Sequence, residues 1–347
     1  MRIQVNARNR AYQFESGEGE KILFAGLRTG TDLPYECGTG TCGTCKAKLI
    51  EGKVADAWPQ APGRKHLKAE QGEFLMCQCT ASGDVTLEIP KFVYDAAAGS
   101  CPARGMSGSV RDVRTLSPDV MALDVMLDQA CDFDAGQFVT LATPGVAGMR
   151  AYSMVNYARS TNVLQFVIKK KSGGGFSEWL FGGDRVGAKL DIFGPMGKAT
   201  FYPGLAKNIL CIAGGSGIAG MMSIVSRACQ ERYFEQFQGH VFFGVRSARD
   251  AFYLEELAGF SKLFPQNLKV TVALSDEEVP ASMAGQYAAL TFAHGMVHEI
   301  AKREMVGKYQ NVRAYLAGPP PAVDASIRFL LLEAKLPADS IRYDKFS

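Results

Sequence analysis

The stretch YECGTGTCGTC, Tyr35 to Cys45, places three cysteines and three glycines within eleven residues. Its sulfurs, Cys37, Cys42 and Cys45, are spaced C-x4-C-x2-C, and the next cysteine, Cys77, follows 32 residues on in FLMCQC. Around this loop the N-terminal MRIQVNARNRAYQF alternates polar and apolar residues and lacks the apolar core of a signal peptide. A cytoplasmic location is therefore expected, where thiols stay reduced and clustered cysteines are read as metal or redox sites. The total of nine cysteines is odd, which also argues against a disulfide framework.

The spacing is that of a plant-type [2Fe-2S] site. Thiolates must converge on two irons from a tight loop, and glycines at 38, 40 and 43 let the backbone pass close to the cluster and aim N–H groups at its sulfurs. Zinc is the competing metal, but zinc sites space their ligands as two short pairs, whereas this trio has one distant partner. The segment PYECGTGTCGTCKAKLIEG with FLMCQC resembles plant-type ferredoxin domains. That resemblance implies Cys77 as the fourth ligand beside Cys37, Cys42 and Cys45, and leaves Cys79, Cys101, Cys131, Cys211 and Cys229 as small hydrophobes. The loop's small glycine and threonine residues are expected to let a partner protein come close to the cluster edge.

A chain of 347 residues suggests two or three domains. The charged fraction of 21% and net charge of +3, spread without a basic tract, do not imply nucleic acid as a partner. No run approaches the roughly 18 apolar residues that span a bilayer, so no membrane partner is expected. Residues 1–95 carry the cysteine motif and strand-like runs such as VTLEI. The small, Gly/Pro-interrupted DAAAGSCPARG marks a linker, 96–105, expected to let the first domain swing. Between 106 and 203 short alternating runs (SVRDVRTL, VMALDVML, QFVTLA, VLQFVIKK) predict an antiparallel sheet or barrel. From 204 to 347 apolar strands alternate with helices, as in a parallel α/β domain.

RAYSMVN, Arg150 to Asn156, resembles the flavin-binding motif of the ferredoxin reductase superfamily. Arg150 has the charge to pair with a pyrophosphate, Tyr152 a face for the isoalloxazine ring, and Ser153 a hydroxyl for the flavin N5 edge. Downstream, in KKKSGGGFSEWLF, Gly174, Gly175, Phe176 and Ser177 open a helix whose backbone N–H groups suit the rest of the pyrophosphate.

In NILCIAGGSGIAG an apolar strand feeds a glycine turn through Gly214, Gly215 and Gly217, followed by a helix. The turn resembles the nicotinamide site of the same reductases, with Gly220 where proline is usual. GVRSARDAFYLEEL resembles the adenosine-ribose loop, and YLAGPPPAVDAS the loop beside the nicotinamide, through Gly318 and Pro319, with Ala317 and Ala322 replacing the usual cysteine and methionine. Asp250 favours NADH by accepting from a free ribose hydroxyl, while Arg246 offers charge for a phosphate; an N-cap on the following helix is the structural alternative for Asp250. The C-terminal IRYDKFS resembles oxygenase reductases, which implies Phe346 as a shield of the flavin and Asp344 as a polar contact near N5. HGMVH, His294 to His298, lacks the glutamate of H-E-x-x-H and reads as a loop.

The fold class expected is thus multidomain: an α+β ferredoxin (β-grasp) domain, an antiparallel β-barrel FAD domain and an α/β parallel-sheet NAD domain. The order resembles the reductase components of bacterial multicomponent oxygenases, and IEGKVADAWPQAPG is most similar to toluene-type monooxygenase reductases. The resemblance implies electron transfer from NADH through FAD and [2Fe-2S] to an oxygenase component or its ferredoxin. A di-iron monooxygenase of aromatic or alkene catabolism is the favoured acceptor; a Rieske dioxygenase, another NADH-dependent pathway and a redox-sensing module are the alternatives. Plant-type clusters lie near about −400 mV, so the surroundings of this loop must tune its cluster to accept electrons from reduced flavin.

Overall fold

The computed structural model describes residues 1–97 and 99–345. The chain divides into two compact units, the first comprising residues 1–108, 138–152 and 188–196, the second 109–137, 153–187 and 197–347.

The first unit is built on a five-stranded mixed sheet in the order Ala11–Glu15, Arg2–Ala7, Val85–Ile89, Lys46–Glu51, Glu73–Leu75. Alternation sets its faces: Ile3 and Val5 of the first strand are fully buried while their neighbours lean outward. Helix α1 (Ile22–Arg28) covers the inner face with Ile22, Leu23, Phe24 and Ala25. Gly26 is required there, because a Cβ would stand 2.3 Å from the Leu33 side chain. This is the α+β ferredoxin arrangement.

Six strands between Arg104 and Met196 form an antiparallel, curled sheet. Three of them, Phe138–Ala142, Arg150–Ser153 and Lys189–Met196, lie wholly or almost wholly in the first unit. Within that unit Phe24 of α1 stacks on Phe193 with ring centroids 4.0 Å apart. Val120–Cys131 and Thr161–Lys169 belong to the second unit and pair antiparallel over most of their length. Helix α2 (Gly175–Phe181) follows them.

The rest of the second unit is a parallel sheet in the order Thr291–His294, Leu268–Leu274, Gly239–Val245, Asn208–Gly214, Val312–Gly318, Ile341–Lys345. Its central strands read as continuous apolar runs because both faces are covered. Helices α3 (Ile218–Gln230), α4 (Leu254–Leu263), α5 (Ala281–Gln286), α6 (Val297–Glu304) and α7 (Pro320–Leu332) supply or flank that cover. The order turns back beside Asn208–Gly214, so the Gly-rich turn leaves the sheet at a topological switch point, where α/β sheets bind nucleotides.

Candidate functional site

The cysteine loop is held by main-chain contacts that tolerate no side chain. Gly63 donates its N–H to the Gly40 carbonyl at 2.8 Å, and a Cβ on Gly63 would stand 2.8 Å from both Gly40 O and Gly43 N. Gly40 and Gly43 have φ of 86° and 79°, in the left-handed region. The segment APGRKH, never assigned a role by the motifs, thus straps the loop, with His66 over Gly43.

The four thiols predicted as ligands stand as two mutually hydrogen-bonded pairs, Cys37 with Cys42 and Cys45 with Cys77. In the first pair, hydrogen bonding from Cys42, then from Thr41 and Thr39, holds the Cys37 thiol down to about 4 and pushes Cys42 up. In the second, Cys45 holds Cys77 below its ordinary value and is itself raised. The amides of Thr39 and Thr44 point at Cys37 and Cys42 Sγ at 3.3 and 3.4 Å, and Gln78 Nε2 donates to Cys77 Sγ at 3.4 Å. Among the described residues no three such side chains converge on one ion. Two thiol pairs would suit a binuclear cluster, one pair for each iron. Cys79 lies outside both pairs, fully buried and pushed up to about 12 by burial.

The small residues expected to admit a partner divide into two groups. Gly38, Thr39, Gly40 and Gly43 do not open toward a partner: all four are buried, because Met196, Gln78, His66 and Gly63 close over the loop. Gly38 faces Met196, whose Cε lies 2.5 Å from where a Cβ would be. The accessible residues of the loop are Tyr35, Glu36, Cys37, Thr41, Cys42 and Thr44.

Arg150 opens its strand with its guanidinium 5.7 Å above the Trp58 ring and Nη1 donating to the Met149 carbonyl at 3.0 Å. Tyr152 is desolvated enough that its phenol is pushed above its ordinary value, the nearby Arg150 opposing the shift. Cation, aromatic face and the buried Ser153 follow one another on one strand, which fits the groups a flavin presents. Gly174 is the N-cap of α2. The Ser177 hydroxyl accepts from Lys171 N at 3.1 Å and donates to Gly174 O at 3.0 Å, so it closes its own loop, and the Phe176 side chain is buried, so the backbone is what this segment offers.

The glycine turn fits a dinucleotide on the same steric logic. Gly215 has φ 54° and open space where a Cβ would project. Gly217 is the opposite case, since a Cβ there would lie 2.4 Å from the Ala317 carbonyl oxygen and 2.8 Å from Gly318 N. A Cβ on Gly214 would stand 3.1 Å from Pro319 Cδ, and Gly318 (φ 141°) closes on Gly214. The turn and the Ala317–Pro319 loop therefore form one surface. At Gly220 an added Cβ would make only ordinary contacts with Ser153, so space does not impose glycine there. Parallel register sets Asp344 opposite Ala317, on this same loop. Phe346 lies outside the described residues.

Asp250 is 8% exposed and accepts from Ser247 Oγ at 2.9 Å and Arg246 Nη2 at 3.2 Å; that guanidinium also reaches Asp119 at 3.3 Å. It does not cap α4, which starts at Leu254 behind Tyr253; Asp250 ends its own tight turn, Ala248–Asp250. Sequence reasoning missed Lys21, Trp58, Gln78, Gly63 and Asp119, none of which lies in a motif. The aromatic in ADAWPQAPG was the one available hint.

Family models match in order: 2Fe-2S iron-sulfur cluster binding domain over residues 5–82, oxidoreductase FAD-binding domain over 107–201 and oxidoreductase NAD-binding domain over 211–327. The chain is 33% identical over 332 residues, 95% of each chain, to ferredoxin–NAD(P)+ reductase CarAd of Metapseudomonas resinovorans. It is likewise 33% identical to the ferredoxin–NAD(+) reductase component of the alkene monooxygenase system of Xanthobacter autotrophicus, over 97% of this chain and 99% of that one. The solved ferredoxin reductase in carbazole 1,9a-dioxygenase superposes with a TM-score of 0.83 at 32% identity, covering 100% and 99% of the two chains. The chain belongs to the family of iron–sulfur flavoprotein reductases that join a 2Fe-2S domain to FAD- and NAD-binding domains. It is an NADH-dependent oxidoreductase that moves electrons from NADH through FAD to [2Fe-2S]. Among the described residues no helix is long and apolar enough to cross a membrane.

Proposed function

We propose that this chain is the cytoplasmic reductase component of an aromatic- or alkene-hydroxylating oxygenase, delivering single electrons from its cluster to the oxygenase component or its ferredoxin. A di-iron monooxygenase is favoured by the alkene monooxygenase relative; the dioxygenase named for the solved relative keeps a Rieske acceptor as the second reading. The observation that carries the reading is that the cysteine loop and the flavin-motif strands share one compact unit, with Gly38 against Met196 and Arg150 on Trp58. This supports electron flow from flavin to cluster, leaving the accessible edge at Thr41, Cys42 and Thr44 for the acceptor.

The roles follow residue by residue. Cys37, Cys42, Cys45 and Cys77 hold the cluster. Arg150 takes pyrophosphate charge, Tyr152 carries the ring, and Ser153 hydrogen-bonds its N5 edge. Gly174, Gly175, Phe176 and Ser177 supply backbone, and Gly214, Gly215, Gly217, Gly318 and Pro319 shape the nicotinamide surface. Asp344 reaches the N5 region and Phe346 shields the ring. The domains assigned are 1–95, the linker 96–105, 106–203 and 204–347. When bound, flavin supplies the exchange of a two-electron donor for one-electron transfers.

Anaerobic NADH is expected to bleach both flavin and [2Fe-2S] visible bands of the purified protein and to support cytochrome c reduction. Hydroxylation of an aromatic or alkene should need added oxygenase; hydroxylation by the reductase by itself would overturn the reading. Asp250 is assigned to the free ribose hydroxyl of NADH. Asp250→Asn should lower the NADH over NADPH preference in kcat/KM about tenfold, near 1.4 kcal/mol, roughly the worth of one hydrogen bond to a charged group. With the carboxylate neutral, Arg246 is released toward a phosphate. An unchanged preference would remove Asp250 from the ribose site.

A further inference from the structure

Lys21 is a charged side chain only partly exposed to water. It stands immediately before α1 and bridges antiparallel to Thr80, three residues past Cys77. Its ammonium lies 5.3 Å from the centroid of the Phe24 ring, on the helix turn that stacks on Phe193. Among the described residues no carboxylate pairs with it, and the nearby groups that act on it are Cys77 and Cys45, which attract, and Arg150, which repels. Burial pulls its pKa below the ordinary lysine value, and the two sulfurs resist that shift.

A half-buried ammonium gives up part of its hydration, and nearby negative charge offsets that loss. Here the offsetting groups are the sulfurs of one thiol pair.

We propose that Lys21 is a positioning residue for charge: its ammonium is the counter-charge of the Cys45–Cys77 pair and raises the reduction potential of the cluster so that it accepts an electron from flavin. Reduction adds one electron, and hence one negative charge, to a group held by four thiolates. A cation fixed nearby in a poorly screened site therefore favours the reduced over the oxidised form. The inference rests on the four-cysteine ligand reading.

The test is an EPR-monitored potentiometric titration of the full-length holoprotein, with cluster content followed by visible circular dichroism. Lys21→Met and Lys21→Gln should keep the cluster signature and the thermal melting temperature while the equilibrium constant for reducing the cluster falls about tenfold, a shift of about 59 mV to more negative potential for a one-electron couple. Lys21→Arg should restore the wild-type potential, which a purely space-filling role would not require. Unchanged potentials in both neutral variants would overturn the proposal, and so would loss of the cluster in both, which would make Lys21 an assembly residue. A wild-type protein whose spectrum is not that of a four-thiolate [2Fe-2S] cluster would instead overturn the ligand reading.

Discussion

Cys77→Ser is expected to separate the two halves of the electron path. Its thiol is fully buried, paired with Cys45 and held in the anionic direction by that pairing and by Gln78 Nε2 at 3.4 Å. A serine hydroxyl neither ionises near neutral pH nor matches the softness of a thiolate, so it is a poor replacement ligand. NADH-driven cytochrome c reduction should fall roughly 100-fold or more, beyond the effect expected even of outer-shell partners. Reduction of ferricyanide, which draws on flavin directly, should persist. Cys79→Ser is the control: Cys79 is buried but outside both pairs, and its loss should cost about 1 kcal/mol of stability with the cluster spectrum intact. Loss of the cluster on changing Cys79 but not Cys77 would reverse the ligand assignment.

Gly217→Ala should strike the other end of the path. The added methyl would meet Ala317 O at 2.4 Å and Gly318 N at 2.8 Å, both main-chain atoms that cannot rotate away. Overpacking of this kind costs roughly 1–3 kcal/mol, and relieving it pushes the Ala317–Pro319 loop off the glycine turn. Stopped-flow reduction of the bound flavin by NADH should show an apparent affinity weakened at least about tenfold, the equivalent of about 1.4 kcal/mol, with flavin content unchanged. Gly220→Ala, where a Cβ makes only ordinary contacts, should leave NADH binding near wild type. Equal effects at the two positions would show that helix propensity, not the close approach at Gly217, governs the site.

The three modules, their order and the cofactors were legible because their motifs are local. C-x4-C-x2-C, RAYS and GGSG each crowd their chemistry into a few residues, and a glycine that must adopt positive φ or admit a backbone announces itself in the sequence. The same locality left the loop's small residues undivided: glycine at 38, 40 and 43 is as consistent with a surface opened to a partner as with one closed by Met196 and Gly63, and only packing separates them from the accessible Thr41 and Thr44. Asp250 is similar. An acid shortly before a helix suggests a cap, but the turn that places Asp250 against Ser247 and Arg246 ends before α4 begins.

By itself the amino-acid sequence determined the fold class and the [2Fe-2S], FAD and NAD modules and proposed the ligand set, since spacing along the chain decides which groups local geometry can bring to one cofactor. The tertiary structure decided how the ligands pair and what surrounds them. Cys77 reaches Cys45 because strand Glu73–Leu75 pairs with Lys46–Glu51 and Met76 N donates to Cys45 O at 3.0 Å. Gly63 straps Gly40, and Lys21 brings its charge to the inner pair. Those contacts join residues far apart in sequence and depend on burial, which excludes water and lets charge act over distance; no local pattern records either.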